Sequence, residues 1–267
     1  MDIRDLLSRF DIRLNKRLGQ HFLYDEVQIR RIIDAGDIGK NDLVLEIGTG
    51  IGTLTKPLAE KAGLVVTVEI DKRLIPAARE YLKDQRNIDL IESDFMDLDI
   101  KKLLNKYKKY KNRKVVANLP YYITSPIISK LIDSKLFDTM ILTIQKEVAE
   151  RIIAKPGTKD YSSFSIYVNF HAKPEVVSYI PRSSFIPQPV VGSAILKLHI
   201  LDKPSVKVKS KMLFFKLVHA AFQQRRKMLK NAIENAGLKW PEIPEIDGKR
   251  RGETLSINEF AKLANSF

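Results

Sequence analysis

The sequence contains no cysteine among its 267 residues. That absence excludes disulfide bonds, thiolate catalysis and cysteine-ligated metal centres. Long apolar runs are also missing, because the longest uncharged run, 115–129, is interrupted by Asn118, Pro120 and Pro126, so no membrane-spanning helix is predicted. The N-terminal sequence MDIRDLLSRFDIR mixes acidic and basic residues without an apolar core, unlike a secretory signal. The sequence therefore predicts a cytoplasmic protein without redox chemistry.

Basic residues exceed acidic residues by 46 to 32, which gives a net charge of +14. The excess is concentrated near the C-terminus, where residues 203–267 carry 14 basic and 6 acidic side chains, a net of +8. Such a surface attracts polyanions, above all nucleic acid, in a salt-dependent way. High solubility is the alternative explanation of the same charge. The four histidines are scattered along the sequence, which argues against a metal site.

Short apolar runs alternate with amphipathic segments over the first 145 residues. This rhythm predicts a parallel sheet with helices on both faces. The predicted strands are 43–48, 64–70, 88–94, 115–120 and 139–145, and helices are predicted in TLTKPLAEKAG, LIPAAREYLKD and PIISKLIDS.

The rhythm changes after residue 145. Two strand-like runs, 162–172 and 192–200, are separated by a proline-rich loop, which predicts an antiparallel pair at the sheet edge and seven strands in all. From residue 203 the pattern is helical, with one main helix predicted over 213–237. We therefore predict a catalytic domain over 1–202 and a small all-helical, basic domain over 203–267.

One further segment, KKLLNKYKKYKNRK (101–114), has eight basic residues and no acidic one. It precedes the fourth strand. We favour a solvated face over a dedicated RNA contact for this segment, since charge runs are usually solvent-exposed.

The first candidate site is EIGTGIGT (46–53), which follows a buried strand. Glycines such as Gly48 and Gly50 allow a sharp turn and the close approach of a ligand. A nicotinamide fingerprint would need a third glycine where Thr53 stands. Glu69 ends the next strand, where a carboxylate can accept both ribose hydroxyls, and Asp94 follows the third strand, where it can accept from an adenine amino group.

Each of these acids taken alone is equally well explained as a surface residue at a strand end. Three acids in successive strand–loop units are harder to dismiss. The absence of a phosphate-binding lysine motif favours a nucleoside ligand. The pattern is typical of S-adenosylmethionine-dependent methyltransferases with a Rossmann-like fold.

The second candidate site is NLPYY (118–122), at the end of the fourth predicted strand. The amide oxygen of Asn118 and the carbonyl of Leu119 can accept both N–H bonds of an aromatic amine and turn its lone pair towards a methyl group. Pro120 stiffens the turn, and Tyr121 offers a face on which a base can stack. Catalysis would then consist mainly of positioning.

Six segments together resemble the KsgA-type small-subunit rRNA adenine dimethyltransferases, including their archaeal and eukaryotic counterparts. The resemblance runs from about Leu14 to the C-terminus and favours an archaeal-like or eukaryotic-like member. The segments are KRLGQHFL (16–23), EIGTGIGTLT (46–55), NLPYYITSPI (118–127), QKEVAERI (145–152), SSFIPQPVVGSAIL (183–196) and FQQRRKMLKN (222–231).

The resemblance implies S-adenosyl-L-methionine as methyl donor and a set of donor-binding residues. In that family the residues that correspond to His21 and Leu23 close over the donor, and those that correspond to Gly48 and Gly50 pass beneath its amino-acid portion. The residue at Glu69 holds the ribose, and the residue at Asp94 holds the adenine amino group. The implied set is His21, Leu23, Gly48, Gly50, Glu69, Asp94 and Asn118.

The resemblance also implies the RNA contacts. Tyr121 and Phe185 would sandwich the target base, which must leave its stack to be modified. Arg225, Arg226 and Lys227, on the first helix of the C-terminal domain, would face rRNA phosphates. The expected substrate is adenosine near the 3′ end of small-subunit rRNA in a 30S-type particle, and the expected state is a monomer. The family pattern has Arg, Lys and Asp where this chain has Ser163, Val190 and Gly192, so the RNA contacts are expected to differ in detail from those of the family.

Three other readings stay open. An Erm-type large-subunit rRNA methyltransferase shares the fold and the chemistry. A DNA adenine or glutamine-amide methyltransferase has a similar N-P-P-Y loop. A non-catalytic ribosome-assembly protein could retain the fold, although an intact donor site argues against that reading.

Overall fold

The computed structural model describes residues 3–12, 19–241 and 243–267. The chain forms two compact units. The first unit contains Met1–Lys146 and Glu175–Ile200, and the second contains Glu147–Pro174 and Leu201–Phe267. The return of the chain to the second unit at Leu201 lies close to the expected boundary at residue 202, but Glu147–Pro174 also belongs to the second unit. The functional division into domains at 1–202 and 203–267 stays a prediction.

The first unit is built on a sheet of seven strands within the described residues. In chain order, the strands of the sheet are β2 (Asp42–Ile47), β3 (Leu64–Glu69), β4 (Ile88–Glu92), β5 (Asn112–Asn118), β6 (Thr139–Gln145), β7 (Ala172–Ile180) and β9 (Ser193–Ile200). Their order across the sheet is β4-β3-β2-β5-β6-β9-β7. The first five strands in this order run parallel, and β9 is antiparallel to β6. The predicted mixed sheet with an antiparallel edge is confirmed.

The strand order of the sheet determines where a ligand-binding crevice can form. β3 and β4 follow β2 in the chain and lie on one side of it, whereas β5 and β6 come later and lie on the other side, so the strand order reverses beside β2. Such a switch point opens a crevice at the carboxyl ends of the strands. Residues of β2 are all buried because both faces of a parallel strand are covered.

The helices of the first unit alternate with the strands. Within the described residues they are α1 (Ile3–Arg9), α2 (Glu26–Gly36), α3 (Thr55–Lys61), α4 (Ile75–Tyr81), α5 (Ile100–Leu104) and α6 (Thr124–Ser134). α2 illustrates why they form. The side chain of Asp25 accepts from the backbone amides of Val27 and Gln28 at the start, and Ile29, Ile32 and Ile33 repeat at helical spacing on its buried face.

A short second sheet joins two distant segments of the first unit. β1 (Phe22–Leu23) pairs antiparallel with β8 (Phe185–Ile186), and Leu23 lies opposite Phe185. This pairing fixes the segment 19–23 beside the loop that precedes β9.

The second unit is helical. Its described helices are α7 (Lys146–Ile153, which begins at the last residue of the first unit), α8 (Ser163–His171), α9 (Lys211–Gln223), α10 (Leu229–Asn235) and α11 (Ile257–Asn265). Phe170, Phe214, Leu217 and Phe260 are fully buried in one apolar cluster of this unit. No described helix of either unit has the length and apolar character needed to cross a membrane.

The strand predicted over 162–172 is wrong, because residues 163–171 form helix α8. The aromatic and β-branched residues of this segment favour a strand by propensity. A capping box overrides that preference: Ser165 N–H donates to Ser162 Oγ at 3.2 Å, and Ser162 N–H donates to Ser165 Oγ at 3.0 Å. The edge strand β7 begins only at Ala172.

The single helix predicted over 213–237 is also wrong. α9 ends at Gln223, α10 begins at Leu229, and Gln224 has non-helical angles of φ −120° and ψ 49°. Arg225, Arg226 and Lys227 therefore lie in the turn between two helices rather than on a helix.

We expect Ser162→Ala to lower the free energy of unfolding by about 1 kcal/mol, since it removes the capping box of α8. Urea unfolding of the intact protein measures the change. Ser163→Ala, one position further along, is the matched control and should cost clearly less. Equal costs for the two substitutions would contradict a capped helix beginning here.

Candidate active site

A pocket opens at the carboxyl ends of β2, β3, β4 and β5 in the first unit. Its wall is made by the turn after β2, the tips of the other strands and the segment 19–23. All seven residues predicted to bind the donor line this one pocket: His21, Leu23, Gly48, Gly50, Glu69, Asp94 and Asn118. The structure therefore brings together residues that are separated by up to 97 positions in the sequence.

The turn after β2 requires glycine for two separate reasons. Gly48 has φ +83°, a left-handed conformation that side chains rarely adopt, and its amide donates to the carbonyl of Val68 at 2.8 Å. Gly50 has φ +58°, and a Cβ atom there would lie 2.7 Å from the ring of Phe22. The backbone can therefore approach both β3 and the segment 19–23.

The Glu69 carboxylate is held by two backbone amides. Gly50 N–H donates to Oε2 at 2.7 Å and Asp71 N–H donates to Oε1 at 2.8 Å. The residue is 5% exposed. Burial raises the pKa of Glu69, and the two amide hydrogen bonds oppose that rise. Each carboxylate oxygen can accept a second hydrogen bond, which fits a pair of neighbouring hydroxyls.

Asp94 and Asn118 lie on the other walls of the pocket. One oxygen of Asp94 accepts from the amide of Met96 at 2.8 Å, which fixes the carboxylate at the turn after β4. Asn118 Nδ2 donates to the carbonyl of His21 at 2.8 Å. This bond directs the amide nitrogen to the segment 19–23 and leaves Oδ1 as an acceptor.

The remaining residues of NLPYY are placed differently from one another. Pro120 lines the pocket. Leu119 is 2% exposed and its amide donates to the carbonyl of Thr143 at 3.0 Å, so β6 fixes its peptide. Tyr121 does not line the pocket: its hydroxyl hydrogen-bonds Ser193 Oγ at 2.6 Å, and its ring stacks on His21 with centroids 5.6 Å apart. Tyr122, 60% exposed, lines the pocket instead.

Phe185 does not reach the pocket in this structure. Its side chain is 1% exposed and packs in an apolar cluster with Leu23, Ile29 and Ile180. The predicted sandwich of a base between Tyr121 and Phe185 is therefore not open in this arrangement, because the ring of Phe185 is part of the core. The stacking role stays a prediction that requires this ring to become exposed.

The basic motif of the second unit contains one paired and two exposed side chains. Arg225 forms an ion pair with Glu253 at 2.7 Å and also donates to the carbonyl of Lys159. Arg226 and Lys227 are exposed. The ion pair assigns Arg225 a structural contact that the sequence does not reveal.

Glu46 is a pocket residue to which sequence reasoning gave no role. It is fully buried, and Thr55 and Thr67 both donate to Oε2, at 2.6 and 2.7 Å. No described atom partners Oε1, and the residue lines the pocket. Burial raises the pKa of Glu46 to about 8, so the side chain is mostly protonated at pH 7. The available signal was an acid inside the otherwise apolar strand LVLEIG (43–48).

Comparison with known proteins gives consistent matches over nearly the whole chain. The family model described as ribosomal RNA adenine dimethylase matches residues 12–267. Ribosomal RNA small subunit methyltransferase A of Caldanaerobacter subterraneus subsp. tengcongensis is 46% identical over 261 residues, 96% of this chain and 97% of that protein. The protein of the same name from Alkaliphilus oremlandii is 42% identical over 272 residues, 98% of this chain and 95% of that protein. An archaeal-like or eukaryotic-like affinity stays a prediction.

Two solved structures share the fold. A dimethyladenosine transferase from Plasmodium falciparum matches with a TM-score of 0.74 at 30% identity, over 91% of this chain and 96% of that one. The 23S rRNA methyltransferase ErmE matches with a TM-score of 0.72 at 24% identity, over 92% of this chain and 98% of that one. The second likeness bears on the fold alone. The predicted Rossmann-like methyltransferase fold is confirmed.

We expect the stability of the protein to fall as pH rises from about 4.5 to about 8, through the contribution of Glu46. The unfolded carboxyl loses its proton near 4.5, whereas the folded one keeps it up to about 8, so folding takes up a proton in that window. Glu46→Gln should remove this contribution, and urea unfolding across the pH range measures it. Glu175→Gln, at an exposed site, should keep the wild-type slope. An identical slope in Glu46→Gln would refute the buried protonated state.

Proposed function

This chain belongs to the ribosomal RNA adenine dimethylase family, and we propose that it transfers methyl groups from S-adenosylmethionine to the exocyclic amines of adenosines near the 3′ end of small-subunit rRNA. The observation that carries the proposal is the convergence of Gly48, Glu69, Asp94 and Asn118 on one pocket. The names of these two relatives support the small subunit as substrate.

The pocket fits a nucleoside-type methyl donor. Glu69 presents two oxygens that can each accept a further hydrogen bond. The left-handed Gly48 and Gly50 leave the floor of the pocket free of side chains. The unpartnered Oε1 of Glu46 adds a polar group that a bound molecule can satisfy. In the proposed roles, Glu69 holds the ribose of the donor and Asp94 holds its adenine amino group. His21 and Leu23 close over the donor. The donor supplies an electrophilic methyl carbon.

Asn118 and Leu119 would activate the target amine. An exocyclic aromatic amine is a poor nucleophile because its lone pair is delocalised into the ring. Two acceptors, Asn118 Oδ1 and the Leu119 carbonyl, would hold its two N–H bonds and favour a pyramidal nitrogen. Since the hydrogen bond from Asn118 Nδ2 to the His21 carbonyl already orients the amide, little reorganisation is needed. These acceptors would leave the nitrogen lone pair free to attack the methyl carbon that the donor supplies.

The RNA contacts of the proposal come from both units. In the first unit, Tyr121 and Phe185 would stack on the everted base, and Pro120 would shape the turn. In the second unit, Arg226 and Lys227 are exposed and suited to phosphates, while Arg225 would act from its ion pair with Glu253. We further propose a 30S-type particle as the substrate, a monomeric state and a cytoplasmic location.

The decisive experiment incubates the protein with methyl-labelled donor and small-subunit particles that lack adenine dimethylation. Mass spectrometry of nuclease fragments then maps the products. We expect N6,N6-dimethyladenosine near the 3′ end of the small-subunit rRNA. Labelling of large-subunit RNA instead would favour an Erm-type activity, and donor binding without any transfer would favour a non-catalytic assembly protein.

We expect Asn118→Ala to lower the turnover number by about 10²- to 10³-fold, the cost of losing one pre-oriented group that acts on the reacting atoms. Single-turnover transfer to the particles measures this loss. Donor affinity, measured by calorimetry, should fall much less, because Glu69 and Asp94 remain. Near-normal turnover would contradict the assigned role.

We expect Glu69→Ala to weaken donor binding by about 10- to 100-fold, since hydrogen bonds to a charged acceptor are worth about 1.5–3 kcal/mol. Glu92→Ala is the matched control, because Glu92 is the register partner of Glu69 on β4 and is exposed. Calorimetry should find the control close to wild type. An unchanged dissociation constant in Glu69→Ala would remove the ribose assignment.

A further inference from the structure

The basic segment 101–114 forms a surface for which the proposed function gives no role. We propose that the exposed lysines at the C-terminal end of this segment, together with Lys40, bind the phosphate backbone of the substrate RNA at the amino ends of β2 and β5, opposite the pocket. The inference rests on the proposed function, since it assigns a second contact to the same RNA. We call this surface the lysine edge: Lys40, Lys108, Lys109 and Lys111.

The lysines of segment 101–111 are not neutralised by acids. Each is exposed, and within the described residues none of them forms an ion pair. Lys109 Nζ lies 4.9 Å from the ring centroid of Tyr110, a contact that leaves the charge intact. Lys40 Nζ donates to the carbonyls of Glu60 and Ala62, which also leaves its charge uncompensated.

The acids near this segment do not pair with its exposed lysines. Asp42 pairs with Lys114 at 2.8 Å. Asp89 accepts from the hydroxyl of Tyr107 and Asp99 accepts from the amide of Lys102 at 2.9 Å, and both carboxylates keep their charge. Within the described residues neither forms an ion pair with an exposed lysine of the segment, so these lysines can pair with a partner outside the chain.

The segment is anchored to the sheet through its two tyrosines. Tyr107 hydrogen-bonds Asp89 on β4, and the hydroxyl of Tyr110 donates to the carbonyl of Gly63 at 3.0 Å. A Cβ atom at Gly63 would lie 2.7 Å from the Tyr110 ring and 2.1 Å from the Lys40 carbonyl oxygen. Because Gly63 has no Cβ atom, the ring of Tyr110 and the carbonyl of Lys40 can both pack against its backbone. The segment therefore has a fixed position at the start of β5.

The anchored segment forms a shallow concavity. It is lined by Lys40, Asn41, Lys109, Tyr110, Lys111 and Asn112, so three lysines and no acid face it. Lysine ammonium groups and amide N–H groups are donors suited to phosphate oxygens. The surface lacks a bidentate arginine and a deep pocket. A phosphate backbone, which needs charge rather than base readout, fits this surface best.

Strand β5 connects the lysine edge to the pocket. It begins at Asn112 in the concavity and ends at Asn118 in the pocket, a span of about 20 Å. A small single-stranded fragment bound at the pocket would not reach both ends. The lysine edge therefore favours a large folded RNA as substrate and would fix its orientation without reading its sequence.

The test compares two triple variants that remove the same charge. Lys108→Gln, Lys109→Gln and Lys111→Gln neutralise the lysine edge. Arg31→Gln, Lys83→Gln and Lys135→Gln remove three exposed basic side chains on other elements of the same unit. Binding to undermethylated small-subunit particles is measured from about 50 to 300 mM salt, together with donor binding and methyl transfer. Thermal unfolding of both variants checks that each is folded.

We expect the first triple variant to reduce the slope of log K against log salt by about 2, since each phosphate contact contributes about 0.7–0.9. The control should change it by much less, and both variants should bind donor normally. Equal slopes in the wild type and the first variant, or equal reductions in the two variants, would overturn the proposal. Failure of the proposed function is distinct, because the wild-type chain would then transfer no methyl group to these particles.

Discussion

The hydrogen bond from the Gly50 amide to the Glu69 carboxylate couples the turn after β2 to the tip of β3. The turn can make this bond only because Gly48 and Gly50 adopt left-handed angles. The carboxylate in turn stays oriented at a buried strand end, where an unpaired acid would be costly. One backbone contact thus sets both the floor of the pocket and the direction of its principal acceptor. Loss of this contact would disturb two walls of the pocket together.

The upper side of the pocket is held by a separate set of contacts. β1 pairs with β8, and Nδ1–H of His21 donates to the carbonyl of Pro187 at 2.7 Å. Gln20 Nε2 donates to Asp71 at 2.8 Å, which ties the same segment to the end of β3. Arg73 keeps the pKa of Asp71 at about 2, so this acceptor remains ionised. The segment 19–23 is therefore anchored on both sides of the pocket.

Sequence reasoning predicted the mixed sheet, and it selected seven residues that line one pocket, because the signals for both are local. Buried parallel strands are short apolar runs, and the acid or amide at each strand end must lie at one edge of the sheet. It failed at two local features that the hydrophobic pattern does not reveal, a capping box and a helix interruption. Ser162 and Ser165 turn an aromatic, strand-like run into α8, and non-helical angles at Gln224 divide a continuous helical pattern. Burial of Phe185 and the raised pKa of Glu46 depend on neighbours distant in sequence, so neither could be read from the residue alone.

Asn118 donates to the backbone carbonyl of residue 21 and not to its imidazole. The acceptor is a peptide carbonyl, which every amino acid carries, while the ring of His21 serves Pro187 and Tyr121. The backbone carbonyl and the side chain of residue 21 thus make different contacts. A substitution at residue 21 changes a side chain that lines the pocket, but it keeps the carbonyl that accepts the hydrogen bond from Asn118.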